Sequence, residues 1–482
     1  MSLKKINDTI YNTLVHTAQT WPEHLAIADE YGELTYSQLY NEVEFLKKEL
    51  KTKGAIAGCG VALITKNNRH FITGLYAALG CDCVVMPLAH YQKPEEIKKA
   101  LIEANIHFIL TDNISFSELG IKTENISNSV FLFCATSLSP FTPTVSFIQR
   151  AAVMRFTSGT TGDARCVILS HQSIAERIEA ANEGLQLTEN DRVIWVLPMA
   201  YHFIVSIMLY IRYGCGIIIC EDFLAENILE KAQKHKGTFL YASPMHIRLL
   251  ASGKKDYALP SLKKVISTTT AISPAICKQF EVAYNLPVSQ AFGIIEVGLP
   301  IINLQQSSEH PEAVGVALPA FTVSVLDDAY KAVAINEVGH LAIKGPGMFD
   351  GYLSPPTTRD EVLKDGWFLT GDLASLSKDG LIEIKGRTKN VINVSGNKVF
   401  PNEVEEVINS YPGILNSKVY GQKHPLMGEL VCADIMLVTK DGFDEEDLIN
   451  YCRQALSSFK VPQRIVIVDH IEMTASGKIK RQ

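Results

Sequence analysis

The chain has 482 residues, of which 47% are hydrophobic and 20% charged, which is the composition of a globular protein rather than a disordered one. Its length predicts roughly two to four domains, and its net charge of −7 argues against a general nucleic-acid-binding surface. Ten cysteines are scattered along it without a C-x-x-C pair. This excludes an obvious zinc site or disulfide framework and favours a cytoplasmic protein with reduced thiols.

The first part of the chain alternates short apolar runs with helical segments, and its N-terminus lacks the apolar stretch of a signal peptide. Buried strands are predicted at residues 61–64, 84–87, 108–111, 193–196 and 239–242. A helix is predicted at 94–104, where Pro94 is followed by Glu95 and Glu96 in the first turn. This alternation predicts an α/β protein with layered sheets covered by helices.

A run of hydroxyl side chains and glycines lies between two apolar segments. Its members are Thr157, Ser158, Gly159, Thr160, Thr161 and Gly162. Glycine allows the backbone to approach a ligand closely, and successive N–H groups with hydroxyls form an anion-binding concavity, so the run predicts a polyphosphate site. It lacks the Lys-Ser/Thr pair of a Walker A loop, which argues against a generic NTPase. A flexible surface loop is the alternative interpretation.

The most apolar window spans residues 203–220 and contains Arg212, Gly214 and Gly216. A membrane-spanning helix needs about 20 predominantly apolar residues. The window therefore predicts a buried helix that runs into a buried strand at 216–220, and no membrane span.

The pattern changes after about residue 314, where strands with Gly and Pro punctuation at 321–326, 340–344 and 381–385 predict a compact β subdomain. The last hundred residues return to mixed α and β. Charged residues stand beside glycines at Glu296, Asp372, the pair Arg387 and Lys389, and Lys478. Taken singly, each is a weak signal: Asp372 is explained better as a turn acid and Lys478 as a solvated cation, and a helix N-terminal acid is the alternative for Glu296.

In their order along the chain, these motifs resemble the adenylate-forming superfamily of acyl-CoA synthetases, nonribosomal peptide adenylation domains and luciferases. The resemblance begins at residues 21–27 and 34–36 and ends at Gly477-Lys478, so it covers essentially the whole chain. It implies an α/β fold with a large N-terminal domain at 1–388, which includes the β subdomain at about 314–388. A small mobile C-terminal α+β domain is expected at 389–482.

The chemistry that this resemblance implies is an ATP-dependent ligation. A carboxylate attacks the α-phosphate of ATP, pyrophosphate leaves, and a thiol takes the acyl group from the resulting acyl-AMP. Because two anions must meet, the site must neutralise the charge that builds up. The resemblance assigns the 157–162 loop, Phe292 and Gly293 to nucleotide binding, Glu296 to Mg²⁺, Asp372 with Arg387 to the ribose, and Lys478 to the carboxylate and α-phosphate.

Other positions are assigned in the same way. Lys389 resembles the hinge between the two domains, and residues 394–399 resemble the loop that serves the second step. His202 matches a position near the acyl carboxylate and the thiol path, although a packed core histidine is the alternative. The substrate pocket implied by the resemblance consists of His202, Phe203, Thr269, Thr270, Ala291 and Gly298.

The sequence departs from the family pattern in four places. Ala164-Arg165-Cys166 replaces Pro-Lys-Gly, Ile295 replaces a threonine whose hydroxyl meets a phosphate oxygen, residues 268–271 replace Gly-Gly-Ala-Pro, and a proline is missing near Glu472. Arg165 keeps the positive charge. The threonines at 268–270 add bulk and hydroxyl groups to the acyl channel.

The substrate class rests on weaker signals. No aspartate follows His202 to pair a substrate ammonium, and an unpaired buried ammonium is costly, so an aliphatic or aromatic carboxylic acid is favoured over an amino acid. The thiol acceptor is either coenzyme A or the phosphopantetheine arm of a carrier protein. Three alternatives stay open: an amino-acid adenylation domain, a nucleotide-binding homologue without catalysis, and a luciferase-like oxygenase.

Overall fold

The computed structural model describes residues 9–112, 124–126, 128–136, 139, 142–157, 165–222, 224–253, 258–439, 442–473 and 479–481. Within these ranges the helices are α1 (Ile10–Thr20), α2 (Tyr36–Thr52), α3 (Arg69–Leu79), α4 (Pro94–Glu103), α5 (His171–Leu185), α6 (Leu209–Arg212), α7 (Ala225–Lys234), α8 (Pro244–Ser252), α9 (Pro274–Tyr284), α10 (Arg359–Val362), α11 (Pro401–Ser410) and α12 (Glu445–Ala455). A π-helix spans Ile204–Met208, and 3₁₀ turns span Thr388–Asn390 and Ser458–Lys460.

Two sheets, each with nine strands in the described ranges, form the large N-terminal part. The first has the order β16 (Val316–Ala317), β15 (Gly298–Ile302), β14 (Val288–Ile294), β13 (Lys264–Ser267), β12 (Phe239–Ala242), β10 (Arg192–Trp195), β11 (Gly216–Ile219), β1 (Leu25–Asp29) and β2 (Gly32–Thr35). The second has the order β20 (Thr357–Thr358), β19 (Gly351–Tyr352), β9 (Cys166–Ser170), β8 (Ala151–Phe156), β4 (Val84–Pro87), β3 (Gly60–Ile64), β5 (Phe108–Asp112), β7 (Phe131–Ala135) and β6 (Glu124–Asn125).

The centres of both sheets are parallel and their edges antiparallel. Strands β11, β10, β12, β13 and β14 run parallel in the first sheet, and β8, β4, β3 and β5 do so in the second. Parallel strands are covered by helices on both faces, so their sequences are continuous apolar runs. Accordingly, every residue of β3, β4 and β12 is buried. The five predicted strands and the helix at 94–104 are thereby confirmed, with end positions that differ by at most one residue.

Two smaller sheets follow. The β subdomain has the order β17 (Thr322–Leu326), β18 (Val338–Lys344), β21 (Phe368–Leu376) and β22 (Ile382–Arg387). The C-terminal sheet has the order β24 (Asn397–Val399), β23 (Ile392–Val394), β26 (Gly428–Leu437) and β25 (Ile414–His424), and β27 (Arg464–Ile467) pairs with β26.

The C-terminal part has a hydrophobic core of its own. Its buried members lie between Ile392 and Val461 and pack α11 and α12 against the last sheet. The chain therefore has a large N-terminal and a small C-terminal domain, while the exact boundary at 388/389 stays a prediction.

The window at 203–220 folds as predicted. It contains the π-helix, α6 and the buried strand β11. Within the described ranges every helix is too short or too polar to cross a membrane.

Candidate active site

The glycine-rich loop is pinned at both ends by an antiparallel pair of strands. Phe156 at the end of β8 pairs with Cys166 at the start of β9. The Thr157 N–H donates to the Arg165 carbonyl at 2.8 Å, and the Arg165 N–H donates to Thr157 Oγ1 at 3.1 Å. Thr157 is thus at the root of the loop, while its predicted partners Ser158 to Gly162 lie outside the described residues.

Glu296 lies in the tight turn between β14 and β15. Gly293 makes this turn possible, because a Cβ there would stand 2.7 Å from the Gly298 carbonyl oxygen. Gly298 has a φ of +99°, a conformation that favours glycine. Phe292 and Gly293, which are predicted to bind the nucleotide, therefore lead directly into the turn that carries Glu296.

Tyr352 connects this carboxylate to the root of the loop. Its hydroxyl donates to Glu296 Oε1 at 3.3 Å, and β19 pairs with β9 so that Tyr352 lies opposite Val167. The Arg165 guanidinium lies 4.9 Å from the centre of the Tyr352 ring. Burial, followed by the nearby Glu296 charge, raises the pKa of Tyr352 far above its usual value, so this phenol stays protonated as a donor.

Arg177 of α5 stabilises the turn that carries Glu296 through hydrogen bonds to backbone carbonyls. It is 1% exposed, and its Nε donates to the Gly347 carbonyl at 2.8 Å while Nη1 donates to the Ile295 carbonyl at 2.9 Å. Within the described part of the chain its Nη2 has no hydrogen-bond partner. Burial lowers the pKa of Arg177 to about 10, so the guanidinium is charged at neutral pH.

The segment around Gly347 is bound to the same helix. Glu176 Oε2 accepts from the Gly347 N–H at 2.9 Å, and the Phe349 N–H donates to the Glu296 carbonyl at 2.7 Å. The turn that carries Glu296 is consequently held by α5 on one side and by the 347–349 segment on the other.

His202 lies in the segment between the parallel strand β10, which ends at Trp195, and the π-helix. It follows β10, is partly buried, and immediately precedes Phe203 and the π-helix. Phe203 is 1% exposed and packs edge to face on Phe71, with ring centroids 5.9 Å apart. Its ring thus lies in the hydrophobic core, and its place in the substrate pocket stays a prediction.

The remaining predicted pocket residues follow neighbouring parallel strands. Thr269 and Thr270 follow β13, and Ala291, in β14, is 9% exposed. Since β10, β12, β13 and β14 are parallel neighbours, their carboxyl ends meet at one edge of the sheet, where open α/β sheets bind ligands. Thr269 has a φ of +81°, a rare conformation for a β-branched residue that costs about 1–3 kcal/mol.

Asp372 and Arg387 are partners across β21 and β22. The Arg387 Nε donates to Asp372 Oδ1 at 2.7 Å, and the carboxylate is 4% exposed while the guanidinium is exposed. The predicted strand at 381–385 ended too early, because β22 continues through Gly386 to Arg387. The Arg387 guanidinium therefore belongs to a residue within the strand, paired with Asp372, rather than to one after the strand.

The two predicted lysines of the C-terminal part differ in what surrounds them. Lys389 is exposed in the 3₁₀ turn Thr388–Asn390. Lys478 lies outside the described residues, but the chain on either side of it converges, since Met473 and Ile479 form a β-bridge. Arg481 then donates to Glu405 Oε2 at 2.7 Å.

Sequence reasoning did not identify Tyr352, Arg177 or Arg155. Each acts across more than forty residues, on Glu296, Ile295 and Tyr201 respectively, and no local pattern reveals such a contact. A charged residue within an apolar strand, as at Arg155, was the one available signal.

Among the described residues, no group of three or more His, Cys, Asp or Glu side chains is arranged to hold a metal ion. A single carboxylate such as Glu296 nevertheless fits Mg²⁺, which takes few protein ligands and completes its shell with water and phosphate oxygens.

Comparison with known proteins bears on this arrangement. The family described as AMP-binding enzyme matches residues 14–353, and the AMP-binding enzyme C-terminal domain matches residues 403–478. The chain is 27% identical to a 2-succinylbenzoate–CoA ligase of Listeria innocua, with 98% of each chain covered. It is 25% identical to an oxalate–CoA ligase of Arabidopsis thaliana, with 99% of this chain and 98% of that one covered.

A solved structure shares the fold. O-succinylbenzoate coenzyme A synthetase of Bacillus subtilis, in complex with ATP and magnesium ion, superposes with a TM-score of 0.84 at 20% identity, covering 98% of each chain. Together with the two family matches, this shows that the chain belongs to the adenylate-forming AMP-binding enzymes of the acyl-CoA synthetase type, which are AMP-forming acid–thiol ligases.

Proposed function

We propose that the chain joins a carboxylic acid to coenzyme A in two steps. In the first, a carboxylate oxygen attacks the α-phosphorus of ATP, the bond to the β-phosphate oxygen breaks, and pyrophosphate leaves. In the second, the coenzyme A thiolate attacks the acyl carbon and AMP leaves. The observation that carries this proposal is the convergence of Glu296, Tyr352 and the root of the 157–162 loop at one place.

Each group has a proposed role. Glu296 holds Mg²⁺, which when bound supplies positive charge to the phosphates. The loop from Thr157 to Gly162 holds the β and γ phosphates, and Phe292 and Gly293 line the nucleotide site. Asp372 accepts from the ribose hydroxyls. Its pairing with Arg387 at 2.7 Å keeps its carboxylate oriented for that task.

On the acyl side, His202, Thr269, Thr270, Ala291 and Gly298 line the acid site. The pocket suits an aliphatic or aromatic acid, because the neighbouring Ile204, Ile207 and Leu299 are buried and apolar. Coenzyme A is favoured over a carrier protein as acceptor, since the relatives reported above are named as CoA ligases.

The test is a panel of acids assayed for acid-dependent pyrophosphate release, followed by coenzyme A and carrier proteins as acceptors. We expect at least one aliphatic or aromatic acid to yield its coenzyme A thioester. The two relatives are named for acids with two anionic groups, so the panel includes dicarboxylic acids. Release with amino acids only would point to an adenylation domain instead.

Arg177 is expected to set the Mg²⁺ requirement through the Glu296 turn. Arg177→Met removes both carbonyl contacts, so the turn loosens. The Mg²⁺ concentration for half-maximal pyrophosphate release should then rise about 10-fold, and unfolding should become easier by about 2 kcal/mol.

Arg69→Met is the matched control, because Arg69 is also buried and pairs with Asp29 and the Gly32 carbonyl. It should lower the melting temperature and leave the Mg²⁺ titration unchanged. An unchanged Mg²⁺ requirement in Arg177→Met would limit Arg177 to a role in stability.

Lys389 is proposed as the hinge between the two steps. Proline fixes φ near −65° and removes the N–H donor, so Lys389→Pro should trap one domain arrangement. If the adenylating arrangement is trapped, ATP–pyrophosphate exchange persists while thioester formation falls steeply. Lys389→Ala, which leaves φ free, is the control. Both half-reactions at wild-type rates in Lys389→Pro would mean that the chain pivots elsewhere or does not need to pivot.

A further inference from the structure

Arg155 is a charged residue in a strand that is otherwise built for a core. Residues 151–154 of β8 are buried and apolar. Arg155 follows them and stands two positions before Thr157. It pairs with Val167 of β9, so its side chain leaves the sheet on the same face as Val167, which belongs to the large core between the sheets. Its guanidinium is therefore directed toward the middle of the molecule.

The side chain is oriented by Tyr201. Its Nη1 donates to the Tyr201 carbonyl, and its guanidinium carbon lies 5.7 Å from the centre of the Tyr201 ring. Tyr201 immediately precedes His202, so these contacts direct the cation to the acyl side of the candidate site.

Among the described residues, the polar contact found for the Arg155 guanidinium is the one with the Tyr201 carbonyl, which is neutral. Its Nε is buried and has no hydrogen-bond partner in that part of the chain. Glu296 attracts it over a longer distance, while the buried Arg177 repels it. Burial lowers the pKa of Arg155 to about 10, so the side chain remains a cation at neutral pH.

A guanidinium in this position is suited to bind an anionic group of a reactant. Arg155 is half-buried as a residue, but its Nε is withdrawn from water without a partner among the described residues. Such an arrangement destabilises the fold, and an apolar residue would fill this position without that cost. Guanidinium binds carboxylates and related oxyanions through two parallel hydrogen bonds, and Arg155 has Nε and Nη2 beyond the Nη1 that Tyr201 occupies.

The identity of the anion follows from what else is present. The family resemblance assigns Lys478 to the reacting carboxylate, and in the proposed function the glycine-rich loop and the Mg²⁺ held by Glu296 serve the phosphates. Arg155 instead contacts Tyr201, the residue before His202 in the sequence, which places it on the acyl side. Thr269 and Thr270 put further hydroxyl groups at the same sheet edge.

We propose that Arg155 binds a second anionic group of the acid substrate, so that the preferred substrates are carboxylic acids that carry another carboxylate or a sulfonate. This inference rests on the proposed function and narrows its substrate class.

The experiment compares matched acids in ATP–pyrophosphate exchange with the full-length protein. Each pair differs only in the second charge, as in glutarate with its monomethyl ester, phthalate with its monomethyl ester, and sulfoacetate with methylsulfonylacetate. We expect wild type to favour the dianionic member of the accepted pair about 30-fold or more in kcat/KM. Arg155→Met, which keeps volume and removes charge, should abolish that preference and leave the KM for ATP unchanged.

Two further variants keep the result interpretable. Arg155→Lys keeps the charge but loses the planar guanidinium and its two parallel hydrogen bonds, so it should retain part of the preference for the dianionic acid. Arg192→Met is the matched control, because Arg192 also lies on a parallel strand and donates from Nη1 to a backbone carbonyl, that of His235. It should leave the preference intact.

Preference of wild type for the monoanionic member of each accepted pair would overturn the inference. A raised KM for ATP in Arg155→Met, with the charge preference intact, would overturn it too and place Arg155 on the phosphates. Absence of exchange with every acid, dianionic or not, would instead remove the proposed function itself and this inference with it.

Discussion

Lys478→Ala is expected to lower the rate of acyl-AMP formation by about 10²–10³-fold, the size of effect seen when a group that stabilises transition-state charge is removed. The lysine is proposed to lie between the carboxylate and the α-phosphate, where two anions come together during attack. Its flexible stem and compact charge suit a group that reaches a site from another domain. The measurement is ATP–pyrophosphate exchange with a saturating acid.

The second half-reaction tests whether Lys478 acts in adenylation alone. When acyl-AMP is supplied, Lys478→Ala should still form the thioester at close to the wild-type rate, because the lysine serves one domain arrangement only. Lys480→Ala is the control, since Lys480 is an exposed neighbour paired with Glu472 at 3.2 Å and has no proposed role. Equal losses in both half-reactions would contradict a lysine that acts in one step.

Glu296→Gln should raise the Mg²⁺ concentration for half-maximal adenylation by at least about 100-fold, because an amide lacks the charge that a hard cation requires. Gln keeps an oxygen that can accept from the Tyr352 hydroxyl, so the fold should be preserved. The measurement is a Mg²⁺ titration of pyrophosphate release at fixed ATP.

Two comparisons sharpen the Glu296 result. Glu281→Gln, at an acid paired with Lys278 at 3.0 Å on the exposed face of α9, should behave like wild type. In the Glu296→Gln background, Arg177→Met should add little to the Mg²⁺ requirement, because residues that act as a unit are not additive. A wild-type Mg²⁺ titration in Glu296→Gln would show that the ligand lies elsewhere.

Regular elements could be predicted because their signals are local. The continuous apolar runs of β3, β4 and β12 reflect burial on both faces, and the proline with two following glutamates marks the start of α4. The run from Thr157 to Gly162 was recognisable from composition alone. The roles of Glu296 and Asp372 rest on the order of motifs along the whole chain and stay predictions.

The supporting contacts could not be predicted, because they join distant parts of the sequence. Arg177 bonds to Ile295 and Gly347, which lie 118 and 170 residues further along the chain, and Tyr352 reaches Glu296 only because β19 pairs with β9. The packing of Phe203 on Phe71 likewise joins distant parts of the chain, so no local pattern indicates it. The end of β22 was missed because a glycine often ends a strand, whereas Gly386 continues the ladder to Arg387 at a φ of +157° that favours glycine.

The measurement that tests the central claim most directly is the fate of oxygen from the acid. A substrate acid identified in the panel is labelled with ¹⁸O in its carboxylate and incubated with ATP, Mg²⁺ and coenzyme A. Attack of the carboxylate on the α-phosphorus, followed by cleavage of the acyl C–O bond, must leave one labelled oxygen in AMP, and mass spectrometry of the AMP should find it there. Label in inorganic phosphate with unlabelled nucleotide would mean attack at the γ-phosphate and would contradict an acyl-AMP route.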